Sequence, residues 1–498
     1  MQLTSPLFLV FLAVCAAVYF VLPSKWQSPF LLLASYVFYF WALPRYGVVA
    51  LAVTAVSYGC ARWLDASSSP RARKAALAAG VLLPLATLFV FKYFDFFAAE
   101  LAALVSLFGA AWTAPALGLV QPLGISYFTL TVIGYLVDVY RGDAACEKNP
   151  AVFALFVSFF PQIASGPIPR AGEMLPQYRE AHRWDTGRAV GGLQRFLTGA
   201  FMKLVVADGV GRIVAGLYAD AANLGWLTAI VAAAGFSVQL YCDFAGYTNM
   251  ALGAGLLLGF RLPENFFAPF QAVSFGALWN RWHVSLTSWL RDYVYFPLGG
   301  SRRGAARRVL NILLVFLVSG LWHGAGVTFL VWGLLNGVAR AAEELLFGKA
   351  GLRARPVSGG IAALCRASNF ILFSLLFVFF KADSLAQARL VFAGLFRPQS
   401  AGAALASIRS IAVSGLAETA DFAILYFAAL LFGVALVWVF DRSISAAYLA
   451  NAPDGNPLGR IRSAKARWAL YWIMGLLTAM FWLVVNATGG GVFIYNNF

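Results

Sequence analysis

The chain has 498 residues, 61% of them hydrophobic and 12% charged, with a mean hydropathy of +0.76 and a formal net charge of +16. These proportions lie far from soluble-domain averages and exclude an ordinary water-soluble globular protein. They also exclude a nucleic-acid binder, because no basic soluble domain is present to carry such contacts.

An uncharged apolar run from Pro6 to Ser24 opens the chain, and further apolar blocks follow near 28–43, 46–61, 76–91 and 97–120, recurring until 468–487. The pattern predicts an all-α polytopic integral membrane protein of about 11–14 spans, organised as one domain over residues 1–498. Many blocks are shorter than the roughly 20 residues that cross a bilayer upright, which predicts some re-entrant or interfacial segments. The first run has no basic residue before Lys25 and no small-residue cleavage site, so it reads as a retained helix.

Basic residues gather in loops at Arg62 to Lys74, Arg170 to Arg195, Arg281 to Arg308 and Arg460 to Arg467. The positive-inside rule places these loops in the cytoplasm and both termini outside. Their charge attracts anionic lipid headgroups and is available to an anionic cytosolic donor. Residues 66–74 and 350–358 read as short loops, and 398–420 as an external loop with helical character. The five cysteines are scattered, with no spacing suited to zinc or to a disulfide framework, so no metal is expected.

Polar groups inside apolar runs need a reason. Asp243, four residues after Gln239, either orients a histidine or makes a helix–helix contact. Lys92 with Asp95, and Asp138 with Arg141, have the spacing of structural ion pairs. His182, in the polar loop from Gln177 to Arg188, reads as a solvated histidine.

From Arg261 to Gly300 aromatic residues interleave with charges. Trp279, Trp282, Leu286, Trp289, Leu290 and Tyr293 fall on one helical stripe, which predicts an amphipathic helix in the interface with its tryptophans at headgroup depth. His283 lies in that stretch, as a packed residue of an anchoring segment or as a functional one. His323 is the sole ionisable residue between Leu310 and Arg340 and is flanked by Gly320 and Gly324, which either admit a neighbouring helix or leave room for a substrate. An imidazole with such room can take the proton of an acceptor hydroxyl as that oxygen attacks a thioester. A packed core histidine is the alternative. No G-x-S-x-G elbow and no phosphate-binding G-x-x-x-x-G-K-[ST] loop occurs.

Six blocks then match a known pattern: Pro122 to Phe128 with Tyr135 to Gly142, Phe159 to Gln162 with Gly166 to Ile168, Tyr241 to Tyr247, Gly259 to Phe266, Trp279 to Gly300, and Gly320 to Gly324. On these the chain resembles the membrane-bound O-acyltransferase (MBOAT) family, in the bacterial branch that contains the alginate O-acetylation membrane protein, with core motifs at about 120–345.

The resemblance implies a ring of helices around a thinned centre, with a tunnel or funnel reaching His323 as the catalytic histidine. It implies a supporting catalytic role for His283, and places Asp243, Asn265, Trp282, Trp322 and Asn336 as candidate substrate-binding or tunnel residues. It further implies acetyl-CoA as acyl donor, no permanently bound cofactor, and acetyl transfer to an extracytoplasmic polysaccharide, directly or through an SGNH-type acetyltransferase partner, in the bacterial inner membrane. D-Alanyl transfer from a carrier protein to teichoic acid is the competing activity, and a transporter without chemistry the competing class. Thr131 and Asn336 stand where relatives often carry His or Gln and His, so alginate itself is not the expected acceptor.

Overall fold

The computed structural model describes residues 1–42, 44–109, 112–348, 358–414, 420–449, 458 and 461–487. The 350–358 loop, apart from Ser358, and Arg460 of the last basic cluster lie outside the described residues. Among the described residues the chain is helical, with no strand. Its internal contacts gather into two units, one of residues 1–192 with 251–263 and one of residues 193–250 with 264–498.

The first unit begins with α1 (Pro6–Val21), α2 (Ser24–Ala42), α3 (Pro44–Ala66), α4 (Pro70–Leu88) and α5 (Phe94–Ser106). Local chemistry sets their starts: Ser5 accepts the Phe8 N–H at 3.2 Å, satisfying one orphan donor, and Pro6 presets the first turn. Helix α6 (Ile125–Arg141) packs on α3 and α4 and is buried along most of its length. Helices α7 (Pro150–Ser158) and α8 (Ala171–Arg179) complete this part.

The apolar block at 97–120 does not form one helix. Helix α5 ends at Ser106, and the Asp95 carboxylate takes the Leu117 and Gly118 amides at 2.7 and 3.0 Å, fixing an irregular return. Lys92 donates instead to the Ser126 hydroxyl at 3.4 Å. His182 is half-buried rather than solvated: its ring packs 4.5 Å from Phe260, and Nε2 lies 3.0 Å from the Gln177 carbonyl.

The second unit holds α10 (Asp208–Ala219), α12 (Phe275–Trp279), α13 (Val284–Leu290), α14 (Gly304–His323), α15 (Val327–Phe347), α16 (Gly359–Lys381), α17 (Leu385–Gly394), α18 (Ala401–Val413), α19 (Ala420–Leu449) and α20 (Ala464–Ala487). Helices α9 (Thr186–Phe201) and α11 (Trp226–Leu258) each contribute residues to both units. The predicted loop at 398–420 contains α18, whose N-cap Ser400 accepts the Ala403 N–H at 3.2 Å.

Helices α14 and α15 pack backbone to backbone. A Cβ on Gly320 would lie 2.3 Å from the Phe329 carbonyl oxygen, and one on Gly333 2.4 Å from that of Phe316. Gly320 therefore serves helix approach, the first of the two readings that the sequence allowed, while a Cβ on Gly324 would meet the Phe329 ring. At the other end of this pair Glu344 of α15 ion-pairs with Arg308 of α14 and with Arg340, the latter at 3.1 Å.

Among the described residues seven helices are long and apolar enough to cross a membrane, so the chain is a multi-pass membrane protein. That is fewer than the predicted 11–14. Shorter apolar helices account for part of the difference: α1 has 16 residues, about 24 Å of helix against roughly 30 Å of hydrocarbon.

Candidate active site

The stretch around His283 is not one amphipathic helix. Helix α12 ends at Trp279, the chain turns through Asn280 to His283, and α13 restarts at Val284 before a π-helical turn at Arg291–Tyr295. His283 itself sits in the left-handed region, at φ +44° and ψ +55°. That conformation costs a residue with a Cβ about 1–2 kcal/mol, so neighbouring contacts must hold it.

Asn265 supplies those contacts. Its carbonyl accepts the Val284 N–H at 2.9 Å, its side-chain oxygen accepts the Ser285 hydroxyl at 2.6 Å, and its amide donates to Thr248 at 3.4 Å. The Phe267 N–H bonds the Arg281 carbonyl at 3.0 Å, so a segment of extended chain brackets the turn from both sides.

The tryptophans of the stripe, Trp279, Trp282 and Trp289, are buried in protein. The Trp282 ring packs 4.8 Å from Phe373 and 5.2 Å from Phe266. Trp279 packs 5.2 Å from Phe316 and 5.9 Å from Trp332. Aromatic partners across the fold pack these large rings edge to face and tilted, the geometry that aromatic pairs favour.

His323 ends α14, edge-on to Trp332 and 5.2 Å from both Trp332 and Phe380. The two imidazoles are 2% and 5% exposed, for His283 and His323, and their centroids are 6.4 Å apart. Trp322 lies beside both, at 5.7 and 4.9 Å. Both rings line a cavity of about 190 Å³, together with Trp279, Trp282, Thr287 and Ser319 among others. Neither ring nitrogen of His283 has a protein hydrogen-bond partner among the described residues, nor has the indole N–H of Trp279. Buried polar atoms left without protein partners beside a cavity mark where water or a ligand completes the hydrogen bonding. Burial pushes the His283 imidazole down to about 3, so it is neutral at physiological pH.

The remaining sequence candidates do not line this cavity. Asp243 of α11 is 2.7 Å from the ammonium of Lys203, which sits on a π-helical turn (Met202–Ala207) linking α9 to α10 and also reaches Asp208 at 2.6 Å, so the three form a buried triad. Asn265 acts on the backbone of the His283 turn, as described. Asn336 donates to the Trp332 carbonyl at 2.7 Å, one turn back on α15, behind the indole that packs on His323. Thr131, in the first unit, bonds the Tyr127 carbonyl of its own helix at 3.0 Å.

Other cavity residues were not singled out from the sequence. Ser319 stands one turn before His323, a spacing that could have pointed to it. Arg340 and Glu343 also line the space, and Glu343 accepts the Phe275 and Gly276 amides at 2.7 Å each, fixing the start of α12. Only the fold brings them to the histidines.

A buried pair of imidazoles on a cavity within a multi-pass helical protein suits proton transfer away from bulk water, and sequence comparison defines the class. The family model described as MBOAT, membrane-bound O-acyltransferase family, matches residues 147–350. The chain belongs to the membrane-bound O-acyltransferase family and is an O-acyltransferase.

It is 35% identical to the probable alginate O-acetylase AlgI of Azotobacter vinelandii over 403 residues, which is 80% of this chain and 78% of that protein. It is 34% identical to the peptidoglycan O-acetyltransferase of Helicobacter pylori over 426 residues, 78% and 79% of the two chains. The similarity to the teichoic acid D-alanyltransferase of Bacillus subtilis is 32% over 239 residues, 45% of this chain and 59% of that one.

Proposed function

We propose that the protein moves an acetyl group from cytoplasmic acetyl-CoA to a hydroxyl presented on the far side of the bacterial inner membrane, in the O-acetylation of a polysaccharide. His323 is the general base. The observation that carries this reading is the cavity that His283 and His323 share, where His283 is buried without a hydrogen-bond partner among the described residues.

In the reaction the acceptor hydroxyl gives its proton to the His323 imidazole as its oxygen attacks the thioester carbon. The tetrahedral intermediate then collapses, the carbon–sulfur bond breaks, and the proton passes to the departing thiolate. Neutral His283 and the Trp279 indole N–H are donors available to the oxyanion, a contribution that grows in a site from which water is excluded. The acceptor is the polysaccharide itself or the serine of an SGNH-type partner that relays the group.

The alginate and peptidoglycan acetylating relatives, which align over most of both chains, favour acetyl transfer over D-alanyl transfer, whose relative aligns over less than half of this chain. The test is acetyl transfer from radiolabelled acetyl-CoA in proteoliposomes. His323→Ala should lower turnover on the order of a hundred- to ten-thousandfold with the fold intact. Full activity in a folded variant would overturn the role. Supplying a D-alanyl carrier protein instead tests the competing donor, and acceptor flux that persists with a nonhydrolysable acetyl-CoA analogue would mark a transporter.

A further inference from the structure

A second cavity of about 470 Å³ lies in the second unit, and it shares no lining residue with the histidine cavity. Its walls come from α11, α16 and α19, and from the segment that includes Phe270. Between the two spaces stand aromatic rings, with Tyr241 and Phe270 on this side packed 6.0 and 6.2 Å from Trp282 on the other.

The lining has a polar end and an apolar end. Arg366 stands seven residues after the start of α16 and Arg442 seven before the end of α19, which puts each about 10 Å along its helix from that end. Basic residues adjoin both ends in the sequence: Arg353 and Arg355 precede α16, and Arg460 and Arg462 follow α19. The positive-inside rule assigns both ends to the cytoplasmic side. Deeper along the same helices the cavity is lined by Phe370, Val434 and Val437.

Neither arginine is neutralised by an acidic partner among the described residues. The Arg366 Nε donates to the Gln271 carbonyl at 3.2 Å, and the Arg442 guanidinium lies 4.3 Å over the Trp438 ring, and neither forms an ion pair among the described residues. Asp441, the carboxylate in the lining, is buried and accepts the Tyr241 hydroxyl at 2.5 Å. Even with Asp441 ionised, two arginines leave this end of the cavity positive. Trp438, on the same wall, is 51% exposed on a membrane-spanning helix, so the space opens toward the bilayer.

Positive charge at interfacial depth, continuous with an apolar slot opening sideways, is complementary to an amphiphile with an anionic head. We propose that this cavity holds one anionic phospholipid of the cytoplasmic leaflet, its phosphate between Arg366 and Arg442 and its acyl chains along Phe370, Val434 and Val437. The site is independent of the acyl-transfer chemistry.

The test is native mass spectrometry of the full chain released from detergent after exposure to phosphatidylglycerol or phosphatidylcholine. The wild type should retain one phosphatidylglycerol, with about a tenfold preference over phosphatidylcholine. Arg366→Gln with Arg442→Gln should abolish the preference, and Val437→Phe, which fills the slot but leaves both charges, should reduce retention of either lipid. Should the double variant fail to elute as a folded species, the exposed Arg442→Gln alone is read, with a partial loss of preference expected. Equal retention of the two lipids by the wild type, or an unchanged preference in the folded arginine variant, would overturn the site. Displacement of the lipid by inorganic phosphate or coenzyme A would equally overturn it, by making the ligand a soluble phosphate.

Discussion

Asn265 and Ser285 are joined by a 2.6 Å hydrogen bond within the fully buried surroundings of Asn265, while the Asn265 carbonyl holds the amide of Val284. One residue thereby clamps the left-handed turn that presents His283. Asn265→Ala removes the acceptor of a buried hydroxyl and should cost about 1–3 kcal/mol of stability. It should also lower turnover in acetyl-transfer assays beyond what the thermal shift explains, because the turn then keeps only its backbone bonds and is held less firmly. Asn265→Asp, which keeps the acceptor, should recover part of both losses, and equal turnover in the alanine variant would show that the clamp is irrelevant to His283.

His283, which lies outside the seven spans, sets a pH dependence. Its imidazole is held at about 3 in the folded protein, against an ordinary histidine near 6.5 in the unfolded chain. Between those values the unfolded state binds the additional proton, so stability falls as the pH drops below about 6.5 and is untouched above it. At pH 5 the loss amounts to about 2 kcal/mol. Thermal unfolding of the wild type and of His283→Gln between pH 7.5 and 5 should therefore diverge in slope, the variant losing less; parallel curves would contradict neutral burial of this ring.

The Lys203 ammonium lies between the Asp208 and Asp243 carboxylates in a buried triad. Lys203→Met leaves two carboxylates facing each other without a cation and should destabilise by about 3–5 kcal/mol. Replacing all three at once, with Met at 203 and Asn at 208 and 243, should restore much of that loss. If the single and triple variants melt together, the triad is not an electrostatic unit.

How far the molecule could be read from its sequence varied with the range of the interaction. Apolar blocks gave the helices, because burial in lipid demands internally satisfied backbone, and the block motifs gave the family. The Trp279 to Tyr293 stripe misled: its spacing fits one helix, but the interruption at Asn280 to His283 depends on the Asn265 segment, which periodicity does not report. Gly320 was legible as a place without bulk, and only its 2.3 Å approach to Phe329 decided between helix contact and substrate room. The partners of Asp243 were out of reach because Lys203 comes from another helix, and nothing in the sequence singled out Arg340 and Glu343, which reach the cavity only once α15 packs against α14.

Among the described residues no protein group bonds either ring nitrogen of His283. Histidines in most proteins have one tautomer imposed by a neighbouring carbonyl or carboxylate. Here no such neighbour dictates the choice, and whatever shares the space with the ring makes it: a hydroxyl offered to one nitrogen selects one form, a carbonyl oxygen selects the other. The same side chain can thus turn to a hydrogen-bond donor or to an acceptor in the cavity without gaining a charge in either encounter.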